Sequence, residues 1–187
     1  MNSSAIPNII TSTRIALVIP VVWSLIEERY LTAIALFFVA GITDALDGFI
    51  AKKFGWVTRL GAILDPLADK VLLVASYLVL GWNDLLPVWL VALVIARDLV
   101  IVIGFALYNK RIRKVDLAPS LISKINTAAQ IILVLVVVIG QVWPQILNSI
   151  QMSLILVVAF TTLSSGVSYI WVWGRRAIRE VKGSDVI

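Results

Sequence analysis

The sequence contains no cysteine and no histidine. Without cysteine there can be neither a disulfide nor a thiolate metal site, and without histidine the usual general base and the commonest metal ligand are missing. Charge is scarce too: 14% of the 187 residues are Asp, Glu, Lys or Arg, little more than half the share usual in soluble domains. Any metal chemistry must therefore use oxygen ligands, which favour hard cations such as magnesium, calcium or manganese.

What fills the chain instead is hydrocarbon. It is 60% hydrophobic with a mean hydropathy of +1.00, the composition of a membrane protein. The N-terminus shows no signal cassette or Arg-rich transit pattern, so the first apolar stretch is expected to remain in the mature protein. Apolar stretches separated by charged or turn-rich breaks predict six spans: Ile9 to Ile26, Leu31 to Ala51, Leu60 to Leu80, Leu86 to Tyr108, Leu121 to Trp143 and Ile150 to Trp173. Each is near the roughly 20 residues that a bilayer-spanning helix needs. The connections are short, so residues 1–187 read as a single all-α integral membrane domain.

The 16 Lys and Arg residues set the orientation, because cytoplasmic loops hold the positive charge. Lys52, Lys53 and Arg59 fall between spans two and three, Lys110, Arg111, Arg113 and Lys114 between four and five, and Arg175, Arg176, Arg179 and Lys182 after six; the opposite loops offer Arg29 alone. Both termini are then cytoplasmic, and Trp82, Trp143, Trp171 and Trp173 sit at span ends, where amphipathic rings favour the interface. The net charge of +5 follows from this asymmetry and suits anionic lipid head groups; no nucleic-acid motif suggests another partner. Charges also lie inside the spans: Arg14, Asp44, Asp47, Asp65, Asp69, Lys70, Arg97, Asp98 and Lys124. All fall in the cytoplasmic half. Intramembrane ionisable groups are costly and usually face a cavity, so the six helices are expected to surround a polar chamber open to the cytoplasm.

The densest charge is in ITDALDGFIAKKFGWVTRLGAILDPLADK, from Ile42 to Lys70. Asp44 and Asp47 are three apart and Asp65 and Asp69 four apart, so a helix puts each pair on one face. Four bare carboxylates in a poor solvent would raise one another's pKa. Two divalent cations neutralise the formal charge where one leaves half of it, which favours a two-metal site of the kind used in phosphoryl displacement. The bland alternative is a structural ion or a salt-bridge network with Lys52, Arg59 and Lys70. Gly48, Ala51 and Gly61 leave backbone uncovered beside the carboxylates for a bulky ligand, and Pro66 is expected to disturb the start of span three.

The run from Asp44 through Lys52, then eight residues, then Gly61 to Asp69, resembles the signature of the CDP-alcohol phosphatidyltransferase family, DxxDGxxAR, eight residues, GxxxDxxxD. Every fixed position matches except Lys52, which stands where the family has arginine and so keeps the charge but loses the bidentate fork. The resemblance implies a six-helix enzyme that moves a phosphatidyl group from CDP-diacylglycerol to an alcohol and releases CMP. It implies that Asp44, Asp47, Asp65 and Asp69 bind two Mg2+ or Mn2+ ions, with Asp69 also the base. Gly48, Ala51, Lys52 and Gly61 would border the donor, and Asn8 and Thr11, with Arg14, would lie near its nucleotide. Downstream, ARDLVIVIG from Ala96 and PSLISKINTAAQ from Pro119 resemble the branch of the family whose acceptor is phosphatidylglycerol. The competing branch takes glycerol 3-phosphate and shows an Arg-Glu pair and a lysine where Asp98 and Asn126 stand.

Arg59, Arg97, Lys124 and Asn126 are the candidate acceptor or phosphate contacts. Each has a plainer reading: Arg59 as a loop charge, Arg97 as a brace between spans, Lys124 as a snorkelling side chain. Adjacent Arg97 and Asp98 point about 100° apart on a helix and need not pair. Gly140 and TTLSSG, from Thr161 to Gly166, supply small residues for close packing, candidates for the homodimer interface that the resemblance implies. The same resemblance places the chain in a bacterial inner membrane, or a mitochondrial inner membrane if the source is eukaryotic. A cation-coupled transporter is the alternative from another class, but transporters of that kind show paired repeats and the acidic motif occurs once.

Overall fold

The computed structural model describes the backbone of residues 5–54, 59–111 and 121–184, and the side chains of residues 16–44, 46, 69–104, 121–145, 150–169 and 171. Six helices follow one another: α1 (Ala5–Ile26), α2 (Tyr30–Phe54), α3 (Arg59–Trp82), α4 (Val88–Arg111), α5 (Leu121–Val142) and α6 (Pro144–Ser184). They match the six expected segments, and no strand occurs among the described residues. Two described stretches, Leu121–Val142 and Ile150–Tyr169, are long and apolar enough to cross a membrane.

Proline marks two starts and fails to stop two helices. Pro87 immediately precedes α4 and Pro144 opens α6, where a fixed φ and a missing N–H cost nothing. Pro20 lies inside α1, and the buried Ser24 hydroxyl donates to its carbonyl at 2.7 Å. Helix α3 runs on through Pro66, so the disturbance expected there does not break it. The larger departure is α6, whose 41 residues measure about 60 Å at 1.5 Å per residue. It starts six residues before the expected span and ends eleven after it, because a hydropathy break ends an apolar run without ending a helix.

The helices pack in two compact units. One comprises residues 1–88 with 134–149, the other residues 89–133 with 150–187. In the first, α1 packs against both α2 and α3. Its inward stripe is Val18, Val21 and Leu25; α3 contributes Leu73, Ser76, Tyr77 and Leu80, and α2 contributes Ala33 and Ala40. Small side chains on α2 let its backbone come close. In the second unit the inward stripes are Leu90, Val91, Val94, Arg97 and Asp98 of α4, Asn126, Gln130 and Leu133 of α5, and Ile155, Val158, Thr162 and Ser165 of α6. The outward faces carry Ile131, Ile132, Leu156, Phe160, Leu163 and Val167. Polar inside and apolar outside is the reverse of a water-soluble bundle and the arrangement that lipid requires.

Hydroxyls in these helices bond backward to their own backbone. Thr43 donates to Val39 O and Ser76 to Leu72 O, both at 2.7 Å, and Thr127 to Ser123 O at 3.1 Å, which satisfies each without water. The ends of α1 and α3 are closed alike. Arg29 N donates to Ser24 O and Glu28 N to Leu25 O; Leu85 N donates to Leu80 O and Asp84 N to Gly81 O, the paired bonds of a Schellman close. The Asn83 amide also donates to Leu25 O at 3.1 Å, tying the two ends together. Beside it, burial and then the charge of Glu28 raise the Tyr30 hydroxyl above its ordinary pKa, with a bond to Asn83 opposing them.

Both closes put a residue other than glycine at positive φ, Glu28 at 57° and Asp84 at 57°. Relief of the Cβ clash is worth about 1–2 kcal/mol, against about 0.4–1 kcal/mol for the looser unfolded chain. Glu28→Gly is therefore expected to raise the thermal midpoint in detergent by about 1–3 °C, and Asp84→Gly by less, since Asp tolerates this region better. A lowered midpoint for Glu28→Gly would show that its side chain, not the backbone, holds the turn.

Candidate active site

The carboxylates of the signature stand on α2 and α3, the two helices that α1 holds. Asp44 and Asp69 are exposed, unlike the polar groups of the second unit. One turn before Asp44, at Gly41, an added Cβ would meet no heavy atom within 4 Å among the described residues, so that flank of α2 is open. Asp47 lies in the same helix as Asp44, and Asp65 in the same helix as Asp69. Helical register therefore keeps each pair on one face. The side chains of Asn8, Thr11, Arg14, Asp47, Gly48, Ala51, Lys52, Arg59, Gly61 and Asp65 lie outside the described residues, although all ten positions are helical. Only two of the four aspartates are described, and no three acidic side chains converge among the described residues. The donor set still fits a hard cation: carboxylate oxygens on helical faces, in a chain with no softer ligand to offer.

The other polar site is in the second unit, and it is closed. The Arg97 guanidinium donates through Nη1 to Asp98 Oδ1 at 2.7 Å, and through Nη2 to Ser123 Oγ at 2.7 Å and Ser165 Oγ at 2.6 Å. Its side chain is 3% exposed and that of Asp98 9%. Tyr169 lies under it, 5.9 Å from ring centroid to guanidinium carbon, and a Cβ on Gly166 would touch the Arg97 stem at 3.8 Å. One side chain of α4 thus ties α5 and α6. Adjacent Arg97 and Asp98 pair, although the helix sets their Cβ atoms about 100° apart. Four rotatable bonds let the guanidinium swing back across 100°, and in apolar surroundings the nearest carboxylate is worth reaching.

Asn126 is fully buried one turn along α5 from Ser123. Its Oδ1 accepts from Thr161 Oγ1 and from Thr162 Oγ1, each at 2.9 Å. Among the described residues its Nδ2 has no acceptor, and neither has Arg97 Nε. Lys124, on the other side of the same turn, is exposed. Thr161, Thr162, Ser123 and Ser165 were not among the residues expected at a site. Thr161, Thr162 and Ser165 fall in the small-residue run TTLSSG, which reads as a packing surface, and Ser123 falls in PSLISKINTAAQ. Thr162, Ser165 and Gly140 are instead buried within the chain, bonding or packing against its own helices.

A membrane-type helical chain with a DxxDG carboxylate set on α2 and its partner set on α3 defines a class, and comparison with known sequences agrees. The CDP-alcohol phosphatidyltransferase family profile matches residues 4–166, and the chain belongs to that family. It is similar to Cardiolipin synthase (CMP-forming) of Rattus norvegicus, 36% identical over 97% of this chain and 65% of that protein. Cardiolipin synthase (CMP-forming) of Homo sapiens is also 36% identical over 97% of the chain and 65% of its own length. The chain thus spans just under two thirds of these relatives. CDP-diacylglycerol--glycerol-3-phosphate 3-phosphatidyltransferase of Bacillus subtilis (strain 168) is 37% identical over 69% of this chain and 74% of that protein.

The Arg97 tie generates a stability test. Arg97→Ala removes the guanidinium from a buried carboxylate and two buried hydroxyls, and is expected to cost about 3–5 kcal/mol. The double replacement Arg97→Met with Asp98→Leu removes both charges, and should recover most of that loss in a detergent melt. Equal losses in the single and double variants would show that the charge pair is not the source of the effect.

Proposed function

We propose that this chain transfers the phosphatidyl group of CDP-diacylglycerol to a hydroxyl of phosphatidylglycerol, forming cardiolipin and releasing CMP. The donor half is supported by the signature and by family membership. The acceptor half is supported by the cardiolipin synthase relatives, whose similarity extends over 97% of the chain against 69% for the glycerol-3-phosphate relative. Among the side chains described in the second unit, Arg97 is already committed to Asp98, Ser123 and Ser165, and Lys124 is exposed. Glycerol 3-phosphate is a small dianion that needs several charge-assisted contacts, whereas phosphatidylglycerol brings a monoanionic diester and a neutral glycerol end. Lys124 for the diester and the Asn126 amide for the glycerol end match the second demand.

On this reading Asp44, Asp47, Asp65 and Asp69 would hold two Mg2+ or Mn2+ ions, which would supply charge neutralisation for the carboxylates and electrostatic stabilisation for the phosphoryl transfer. Asp69, exposed on α3, takes the proton of the acceptor hydroxyl. The hydroxyl oxygen bonds to the phosphatidyl phosphorus as the bond from that phosphorus to the CMP oxygen breaks, and CMP leaves with the electron pair. Gly48, Ala51 and Gly61 leave room for the cytidine diphosphate, Asn8 and Thr11 lie on its nucleotide side, and Lys52 and Arg59 supply phosphate contacts. All six helices span the membrane with both termini cytoplasmic, in a bacterial or mitochondrial inner membrane. Any homodimer uses a face other than Thr162, Ser165 and Gly140.

Purified protein given CDP-diacylglycerol with either acceptor, and its products weighed by mass spectrometry, should yield cardiolipin from phosphatidylglycerol and little phosphatidylglycerophosphate. Use of glycerol 3-phosphate alone would move the chain to the activity named for the Bacillus subtilis relative.

Chelation is expected to abolish turnover and Mg2+ or Mn2+ to restore it. Asp69→Asn should lower kcat about 10²–10⁴-fold while sparing donor affinity, because an amide keeps the shape but takes no proton. Near-normal turnover by that variant would remove Asp69 as the base.

A further inference from the structure

The two α6 threonines and Asn126 form a unit whose chemistry is more specific than packing. An Asn amide offers an oxygen that accepts and a nitrogen that donates. Here Oδ1 is taken by Thr161 Oγ1 and Thr162 Oγ1 at 2.9 Å each. Thr161 has one proton and two further acceptors in reach, Val157 O at 2.9 Å and Val158 O at 3.2 Å, so its hold on Asn126 is shared. Thr162 has no other acceptor among its recorded bonds, which makes it the firmer anchor. The side chain is 0% exposed, and its Nδ2 group is the part left without a partner.

A buried donor without an acceptor is uncommon in a folded protein and marks a place where an oxygen belongs. Helical side chains lean toward the N-terminal end of their helix, which directs Asn126 toward the turn of Ile122 and Ser123. Ile122, four residues earlier on the same face, is 42% exposed, as is Lys124 beside it. Held this way, residue 126 can give a hydrogen bond but cannot accept one, and it carries no charge.

We propose that Thr162, with Thr161 assisting, is a specificity-determining positioning residue: it fixes the Asn126 amide so that Nδ2–H alone faces an oxygen of the acceptor lipid's glycerol end. This rests on the acceptor reading above. Without the Thr162 hydroxyl the amide can turn over, its oxygen competes for the same place, and the uncharged donor is lost. A lysine at 126 would bring a charge that the residues bonding Asn126, two threonines, have no carboxylate to balance.

The test is the kinetics of Thr162→Val, which keeps the shape and removes the hydroxyl, beside Thr162→Ser, which restores it, and Asn126→Asp, which keeps an accepting oxygen but removes the donor. Wild type is assayed first with phosphatidylglycerol and with glycerol 3-phosphate. If it rejects phosphatidylglycerol, the acceptor reading itself falls. With that use in hand, Thr162→Val is expected to raise the KM for phosphatidylglycerol about tenfold, with the KM for CDP-diacylglycerol unchanged within about twofold. Thr162→Ser should return to near the wild-type value, and Asn126→Asp should show the same acceptor defect as Thr162→Val. An unchanged acceptor KM in Thr162→Val, or donor and acceptor constants moving together, would overturn the proposal and leave these threonines as packing residues. If Thr162→Val does not accumulate, Asn126→Asp decides alone: normal use of phosphatidylglycerol by that variant would overturn it.

Discussion

In hydrocarbon no water answers a polar group, so each one must find its partner in the protein or in something the protein binds. The two kinds of answer divide this chain. Arg97 and Asp98 answer each other, with Ser123 and Ser165 accepting two more of the guanidinium's bonds. The aspartates of α2 and α3 are another case: Asp44 and Asp69 are exposed where Asp98 is 7% exposed. The same side chain thus has two fates. Buried pairs fix helices, whereas exposed carboxylates stay within reach of a ligand from outside, and on the proposed reading that ligand is a divalent cation.

Much of this was legible before any coordinate. Six helices follow from apolar runs broken by charge, and the ends of α2, α3 and α5 fall within three residues of those runs. The signature aspartates were legible because their spacing is itself chemistry: separations of three and four residues need a helix and nothing else. The seam of α4, α5 and α6 was not, for a physical reason. Serine and threonine serve equally as small packing residues and as hydrogen-bond donors, and only their neighbours decide which. Thr161 and Thr162 read as the first and are bonded as the second. The pairing of Arg97 with Asp98 was left open by the sequence, since a helix wheel places Cβ atoms and a guanidinium reaches well past its own. The length of α6 was missed because hydropathy measures apolarity, and a helix continues wherever its backbone bonds are kept.

The polar residues also separate by the half-reactions they would serve. The signature lies in the unit built around α1, α2 and α3, whereas Asp98 and Asn126 lie in the unit of α4 to α6. Both are bonded into α6, Asp98 through Arg97 and Asn126 through the threonines. An acceptor change at either position must then be accommodated by α6, so a single substitution is a poor way to exchange one alcohol for another.

On the proposed reading, a lipid acceptor needs fewer charged contacts than a soluble dianion does. A dianion drawn from water has to be gripped, and grip comes from charge-assisted bonds. A lipid acceptor reaches the protein already confined to the bilayer and partly oriented by it, so part of the entropy of capture is lost before binding begins. What remains is to turn one end of the molecule toward the base, and directional neutral bonds do this without the desolvation cost of another buried charge. A buried amide with its oxygen occupied is such a device, and Arg97, its charge met by Asp98 and its hydrogen bonds by two serines, is free to hold helices together instead.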